Sequence, residues 1–388
     1  MPRSADVVVI GGGVIGLTVA RALAQRGVRE VCLIERAALG TEASFAAGGI
    51  LAPQAEADGR DEFFELACRS RDLYSDFAAG LFEETGVDVE LDTTGTLYVA
   101  LNEGDGIEIE KRFDWQSKAG LAVEKLTARE AREIEPCVAP ALSSALLFPR
   151  DAQVENRRLL NALVSSVAKL NVTIVTETNV ESLTIEHGHT GGHSKRVKGV
   201  ETSRGFVSSP KVIVAAGTWS SAIKQTNEPP IEYSVPKIEP VRGQMICFDA
   251  KPQLTRHVIY SPRGYLVPRR DGRLLAGSTS ENAGFTKQVT AGGISSILAH
   301  ASEISPLIEN LPILDTWAGL RPRAADGLPV LGPCDEIDGL VYATGHYRNG
   351  ILLAPVTGEL IAEAVVNGHI SPLLTAFSPN RFKLAHVS

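Results

Sequence analysis

Two groups of residues in this chain have types and spacing that could do chemistry. Gly11, Gly13 and Gly16 follow the apolar run Val7–Ile10 with the spacing Gly-x-Gly-x-x-Gly. In such a pattern the first glycine makes a tight turn, the second lets a pyrophosphate approach the backbone, and the third lets a helix pack on a strand. Glu35 closes a second apolar run, Val31–Ile34, where an acid that binds a ribose belongs. The second group is basic. Trp317–Ala318–Gly319–Leu320–Arg321–Pro322–Arg323 reads as a strand ending in two arginines around a proline. Within Thr344–Gly345–His346–Tyr347–Arg348–Asn349–Gly350–Ile351–Leu352–Leu353–Ala354–Pro355, Arg348 to Gly350 reads as a glycine-bearing loop that enters a helix, a place to hold negative charge. A guanidinium can grip a carboxylate with two parallel hydrogen bonds. By itself, Arg321 reads equally well as a solvated charge at a strand end.

These residues need elements to position them. After the glycines, Ile15, Val19, Ala22 and Leu23 keep an apolar helical face, and Gly27 is placed to stop the helix. The helix N-terminus at Val14 and Ile15 turns a positive dipole end toward a diphosphate. Strand, helix and acid in register favour dinucleotide binding over a structural glycine turn. Residues 36–53 are rich in Gly, Ala and Ser, which suits a backbone lying against a ligand. Phe63, Leu66, Leu73, Phe77 and Leu81 predict one long helix ending near Gly86, with strands over 90–101 and a polar helix over 104–119. Thr127 and Glu130 form a capping-box pair. A helix over Asn156–Lys169 and strands over 172–175, 180–185 and 212–214 follow, the last running into Ala215–Ala216–Gly217. The three histidines between His187 and His193 sit among glycines and read as a hairpin tip rather than a metal site. Pro229, Pro230, Pro236 and Pro240 mark a linker into a second domain, with several strands over 243–277 and a helix over 294–304. Strands near 314–320, 330 and 340–343 precede a last helix ending near Asn367, where Pro355 is tolerable only close to the first turn.

The opening predicts a parallel sheet and the middle an antiparallel one, so one domain interrupted by another is expected. The expected fold is α/β: a Rossmann-like dinucleotide-binding domain of residues 1–86, 145–230 and 318–388, and an antiparallel-sheet α+β domain of residues 87–144 and 231–317. Apolar content of 44% and charged content of 22% are ordinary for a globular chain. The net charge of -8 argues against a general nucleic-acid surface. The absence of an 18-residue apolar run or an N-terminal signal pattern leaves a cytoplasmic protein as the expectation. Cys32, Cys68, Cys137, Cys247 and Cys334 are scattered and read as free thiols.

Together these stretches, with Ala46–Ala47–Gly48–Gly49–Ile50–Leu51–Ala52 and Tyr265–Leu266–Val267–Pro268–Arg269, resemble the amine-oxidising flavoproteins that include D-amino-acid oxidase, sarcosine oxidase and glycine oxidase. The chain looks most similar to glycine oxidases of the thiamine-pathway type. The resemblance implies noncovalent FAD, because covalent relatives carry a cysteine after the strand matching Trp317–Arg321 and residues 322–331 contain none. It places the diphosphate on Gly11, Gly13, Val14, Ile15 and Gly16, and the adenosine ribose on Glu35 beside Arg36. The ribityl chain and flavin run along Thr41, Ser44, Ala47, Gly48 and Gly49. Val180 meets adenine, with Ala216, Gly217 and Trp219 nearby and Asn349, Gly350 and Ile351 at the last helix.

The resemblance further implies that Arg321 binds the substrate carboxylate, that Tyr265 lines the same pocket and that Arg348 lies close to flavin and substrate. Ala52, Arg263 and Ser280 stand where those relatives have glycine, histidine and methionine, and so alter the pocket. The implied reaction oxidises glycine or another small amino acid (sarcosine, D-alanine, D-proline) by hydride transfer to flavin N5. Oxygen reoxidises the flavin, giving an oxo acid, ammonia or amine, and hydrogen peroxide. No dedicated acid or base is required, since the cofactor performs the oxidation. Alternatives are a dehydrogenase feeding a quinone or carrier, and a non-catalytic flavin-binding subunit. The resemblance also raises a homo-oligomer, a tetramer.

Overall fold

Val7–Ile10 contains no polar residue because both of its faces are covered. In the computed structural model, which describes residues 1–187, 195–225 and 235–386, this strand is central to a six-stranded sheet. Its order is Val330–Pro333, Leu340–Thr344, Val212–Val214, Val7–Ile10, Val31–Ile34, Thr173–Val175. All neighbours run parallel except the edge strand Val330–Pro333. Val7 and Val9 pack beneath the helices Val14–Gln25, Asn156–Lys169 and Gly350–Asn367. Val8 and Ile10 face the other way, onto Leu183, Ile185, Val200 and Val207 of a four-stranded sheet. A continuous apolar run is what this two-sided burial requires. The histidine-rich segment beyond His187 and the prolines Pro229 and Pro230 lie outside the described residues.

The second body is an eight-stranded sheet ordered Ile313–Ala324, Ile238–Asp249, Arg273–Gly277, Gly264–Pro268, Val258–Ser261, Thr96–Ala100, Ser144–Phe148, Glu124–Thr127. It is antiparallel except where Val258–Ser261 runs parallel to Thr96–Ala100. The helix Ala291–Ile304 covers one face through Ile297, Ala301 and Ile304. The opposite face carries Met245, Tyr260, Tyr265 and Leu275 toward Ala52 and Ala55. Ser144–Phe148 and Ile313–Ala324 both pair within this sheet, so boundaries at 144/145 and 317/318 would cut through strands. Pairing partners distant in sequence, rather than local composition, decide where these segments belong.

Two local expectations change. Residues 90–101 form a strand only over Thr96–Ala100, because Glu90 at φ 55° and Gly95 at φ 105° cannot be part of an extended run. The long helix over 61–86 is two helices, Glu62–Asp72 and Tyr74–Thr85, meeting at Leu73. Their junction has a partner in the last helix. Pro355 lies in the second turn of Gly350–Asn367 and has no N–H to give the Ile351 carbonyl. The hydroxyl of the buried Tyr74 donates to that carbonyl instead. Ser70 donates to the Leu352 carbonyl at 2.6 Å and accepts from the Val356 N–H at 3.3 Å. Gly350–Asn367 is long and apolar enough to cross a membrane, yet 67% of it is buried inside the protein. Of the cysteines, Cys68 is half-buried and the other four are buried, and all five are free.

Tyr74→Phe keeps the ring and leaves the Ile351 carbonyl without a donor. An unsatisfied buried acceptor costs about 1–3 kcal/mol, so the urea midpoint should fall by the corresponding amount at unchanged slope. An unchanged midpoint would show that the proline break needs no outside donor.

Candidate active site

The parallel strands bearing Ile10, Ile34, Ala215 and Ala343 open at their C-terminal ends onto one cavity of about 560 Å³, the usual place for a ligand in a doubly wound sheet. Two glycines shape its floor. Gly11 has φ 108°, and a Cβ there would meet the Ala215 carbonyl oxygen at 2.4 Å. A Cβ on Gly16 would stand 1.9 Å from the Gly11 oxygen, so Gly16 sets how closely helix approaches strand and does not itself line the cavity. Gly13 lines it, and a Cβ on Gly13 would meet only the Ser44 hydroxyl, at 3.2 Å. That hydroxyl accepts from the Val14 N–H at 3.0 Å.

Glu35 is more occupied than its spacing suggests. One carboxylate oxygen accepts from the Gly12 N–H at 2.6 Å and the other from the Ala37 N–H at 2.9 Å. Glu35 therefore ties the second strand to the glycine turn, with lone pairs left for a ligand. Beside it the Arg36 guanidinium lies 3.6 Å over the Trp219 ring and pairs with Glu42, which also holds Lys287 at 2.9 Å.

The segment carrying Ala47, Gly48 and Gly49 is fixed from behind. The buried Arg269 donates to the Gly48 carbonyl at 2.8 Å and to the Val154 carbonyl at 3.1 Å. Burial pushes its guanidinium pKa down to about 10, still charged at neutral pH. Trp317 donates its indole N–H to the Ala46 carbonyl at 3.1 Å.

At the other end Arg321 stands on the long strand Ile313–Ala324, opposite Val241. Its guanidinium donates to the Thr279 carbonyl at 2.9 Å and the Ser278 hydroxyl at 2.7 Å. A Cβ on Gly243 would come within 2.4 Å of the guanidinium carbon, so only glycine leaves it room to lie there. Among the described residues no carboxylate lies within 4.0 Å of Arg321. Tyr265 is turned into the same cavity, with its hydroxyl 3.4 Å from Met245 Sδ, a weak acceptor. Tyr260 tilts against it at 5.4 Å between ring centroids.

The cavity brings together Gly11, Gly13, Val14, Ile15, Glu35, Arg36, Ser44, Ala47, Gly48, Gly49, Ala52, Val180, Ala216, Gly217, Trp219, Tyr265, Arg321, Arg348, Asn349, Gly350 and Ile351. Besides Gly16, which lies behind the glycine turn, three expected residues lie elsewhere. Thr41 is exposed and donates to the Ala38 carbonyl at 3.0 Å. Ser280 is exposed, 3.3 Å from the Tyr347 hydroxyl. Arg263 is drawn away by two carboxylates, pairing with Asp105 at 2.9 Å and Glu303 at 2.6 Å. Reading the sequence missed Gly243, Met245, Ser278, Glu56, Tyr260 and His346. Tyr260 had a signal, since a hairpin through Pro262 sets it across from Tyr265, and His346 lay inside a stretch already singled out. Among the described residues, no group of three or more His, Cys, Asp or Glu could hold a metal ion.

His346 is buried against the cavity, with Nε2 3.1 Å from the Thr357 hydroxyl. Burial pushes its pKa down to about 3, so the imidazole is neutral at every pH where the protein would work. An unfolded histidine titrates near 6.5. The unfolded chain takes the proton first, so stability is full above pH 6.5 and is lost as pH falls toward 3. Between pH 8 and pH 5 the loss is on the order of 2 kcal/mol. Urea unfolding at these pH values should show His346→Gln losing less than wild type; equal losses would place the histidine in contact with water.

A model of the FAD dependent oxidoreductase family matches residues 6–364. The glycine oxidase of Pseudomonas aeruginosa is 35% identical over 361 residues, covering 93% of this chain and 94% of its own. The crystal structure of glycine oxidase from Geobacillus kaustophilus superposes with a TM-score of 0.89 at 32% identity, over 98% of this chain and 99% of that one. An L-proline dehydrogenase structure from P. horikoshii shares the fold, with a TM-score of 0.85 at 24% identity over the full length of both chains. The glycine cradle, the occupied but unsaturated Glu35 carboxylate and the open face of Gly13 fit FAD. The chain belongs to the FAD dependent oxidoreductase family and is an FAD-dependent enzyme.

Proposed function

We propose that this protein oxidises glycine or another small amino acid, such as sarcosine, D-alanine or D-proline. The products are the oxo acid, ammonia or amine, and hydrogen peroxide. The observation that carries the reading is Arg321: a guanidinium fixed on a strand at the cavity wall, bonded among the described residues to neutral acceptors alone. Its remaining donors are those a carboxylate would take. Relatives named glycine oxidase cover nearly the whole chain and support the substrate class.

Bound FAD would supply the acceptor that takes the α-hydrogen with its electron pair and then passes two electrons to oxygen. The protein's part is to hold the substrate. Arg321 fixes the carboxylate, and the Tyr265 hydroxyl, whose partner among the described residues is the weakly accepting Met245 thioether, can turn its proton to the same ligand. Glu35 is occupied by backbone N–H groups, Glu42 by Arg36 and Lys287, and Glu56 by Tyr260 and Arg348. His346 is locked neutral. Each of these side chains is thus engaged with a partner inside the protein or, for His346, held neutral by burial. That agrees with a reaction in which an amine entering as its neutral form needs no protein base.

Truncating one member of a buried charge pair costs about 3–5 kcal/mol, or two to four orders of magnitude in kcat/KM. Arg321→Ala should keep bound FAD and lose that much activity toward glycine, measured by oxygen consumption. Arg321→Lys should recover part, because an ammonium cannot reproduce the fork. A simple amine without a carboxylate should be a poor substrate of wild type and much less affected. Equal losses for glycine and the amine would remove the carboxylate clamp from the account.

A further inference from the structure

Glu56 borders the cavity just described and also a second cavity of about 640 Å³. Tyr260, Tyr265, Ser278 and Arg348 border both as well, so these residues and Glu56 form the partition between the two spaces. One oxygen of Glu56 accepts from the Tyr260 hydroxyl at 2.7 Å and from the Arg348 guanidinium at 3.2 Å. That single atom ties a phenol on the sheet to a guanidinium on the loop before the last helix. Glu56 holds Arg348 above the usual guanidinium range by charge attraction, while burial, with the Glu56 carboxylate opposing a phenolate beside it, holds Tyr260 above the usual phenol range and so keeps it a donor.

The backbone under Glu56 is pinned on both sides. It ends the short helix Pro53–Glu56, whose Gln54 and Ala55 N–H groups meet the buried Asp151 carboxylate at 3.4 and 3.1 Å. On the far side Arg112 donates to the Ala55 carbonyl at 3.0 Å and to the Ala57 carbonyl. A carboxylate on so fixed a base cannot follow its partners if they move apart. Ser278, whose hydroxyl accepts from Arg321 at 2.7 Å, and Tyr265 border both cavities, so a long substituent on an acid held at Arg321 would have to cross this partition to reach the second space. Beyond it, Arg263 and Arg112 are already paired with Asp105, Asp58 and Glu108, so that cavity is not an anion site of its own.

We propose that Glu56 is a positioning residue that sets substrate size: it holds Tyr260 and Arg348 together as the wall closing the substrate pocket to side chains longer than a methyl or two. This rests on the function proposed above. The test uses purified holoenzymes of wild type, Glu56→Ala, Glu56→Gln and Tyr260→Phe. Oxidation is measured with glycine, D-alanine and D-norvaline, and binding with acetate and valerate through the flavin spectrum. Glu56→Ala should keep bound FAD and narrow the glycine-to-norvaline ratio of kcat/KM at least tenfold, through the KM of norvaline. The acetate-to-valerate ratio of Kd should narrow in parallel. Glu56→Gln, which keeps an acceptor oxygen, should restore at least half of that discrimination on a logarithmic scale, and Tyr260→Phe should lose part of it. Unchanged ratios in a yellow Glu56→Ala protein overturn the inference, as does a Gln variant no better than Ala. Should Glu56→Ala not fold, unchanged ratios in Tyr260→Phe overturn it equally. Wild type that neither oxidises an amino acid nor binds a carboxylate overturns the proposed function, and this inference with it. Oxidation with unaltered discrimination overturns the inference alone.

Discussion

The structure depends on one steric constraint: at Gly11 and Gly16 the chain cannot carry a Cβ. Removing those two atoms lets three elements meet at one point, the strand Val7–Ile10, the Ala215 carbonyl just beyond its neighbour Val212–Val214, and the helix Val14–Gln25. The close contact of Gly16 with the Gly11 oxygen aims that helix N-terminus at the cavity. Glu35 then locks the geometry by accepting the Gly12 N–H. Any side chain at either glycine would have to move backbone rather than a flexible neighbour, and interiors packed at crystal density yield little.

A similar stripping of side chains recurs at the substrate end. Gly243 and Gly319 face each other across the pair Ile238–Asp249 and Ile313–Ala324. Gly243 makes room for the Arg321 guanidinium, and Gly319 for Ala46, whose Cβ would be 2.5 Å from an added methyl. The segment 43–49 is thus pressed between two bodies, with Trp317 and Arg269 holding its carbonyls. Rigid strands, not loops, carry Arg321 and Tyr265, as the proposed task of holding one α-carbon in place requires. The last helix is tied to the same arrangement. Its break at Pro355 is satisfied by Ser70 and Tyr74, so the helices Glu62–Asp72 and Tyr74–Thr85 brace the loop carrying Arg348.

The glycine turn and the acid beside it were legible because their geometry is local. Gly11, Gly13, Gly16 and Glu35 lie within one strand–helix–strand unit, and their spacing reports their geometry. The parallel and antiparallel bodies were legible from apolar runs and turn residues. What sequence did not disclose was set by contacts between distant segments. Gly243 gives no sign that Arg321, nearly eighty residues later, lies across it. Arg263 is near the pocket tyrosine in sequence, yet Asp105 and Glu303 draw it away. Glu56 follows a stretch of small residues and becomes meaningful only once Tyr260 and Arg348 converge on it. The limits at 144/145 and 317/318 fall inside strands for the same reason, since Ser144–Phe148 pairs with strands that nothing in its own composition names.

The central claim is that FAD in the main cavity meets an α-carbon presented by a carboxylate fixed at Arg321. Anaerobic mixing of the yellow holoenzyme with glycine, beside methylamine at equal concentration, tests it most directly. The account predicts rapid loss of the oxidised flavin absorbance with glycine, little change with methylamine, and return of the colour with hydrogen peroxide when oxygen is admitted. A flavin that no small amino acid bleaches, or that methylamine bleaches as fast as glycine, would contradict it.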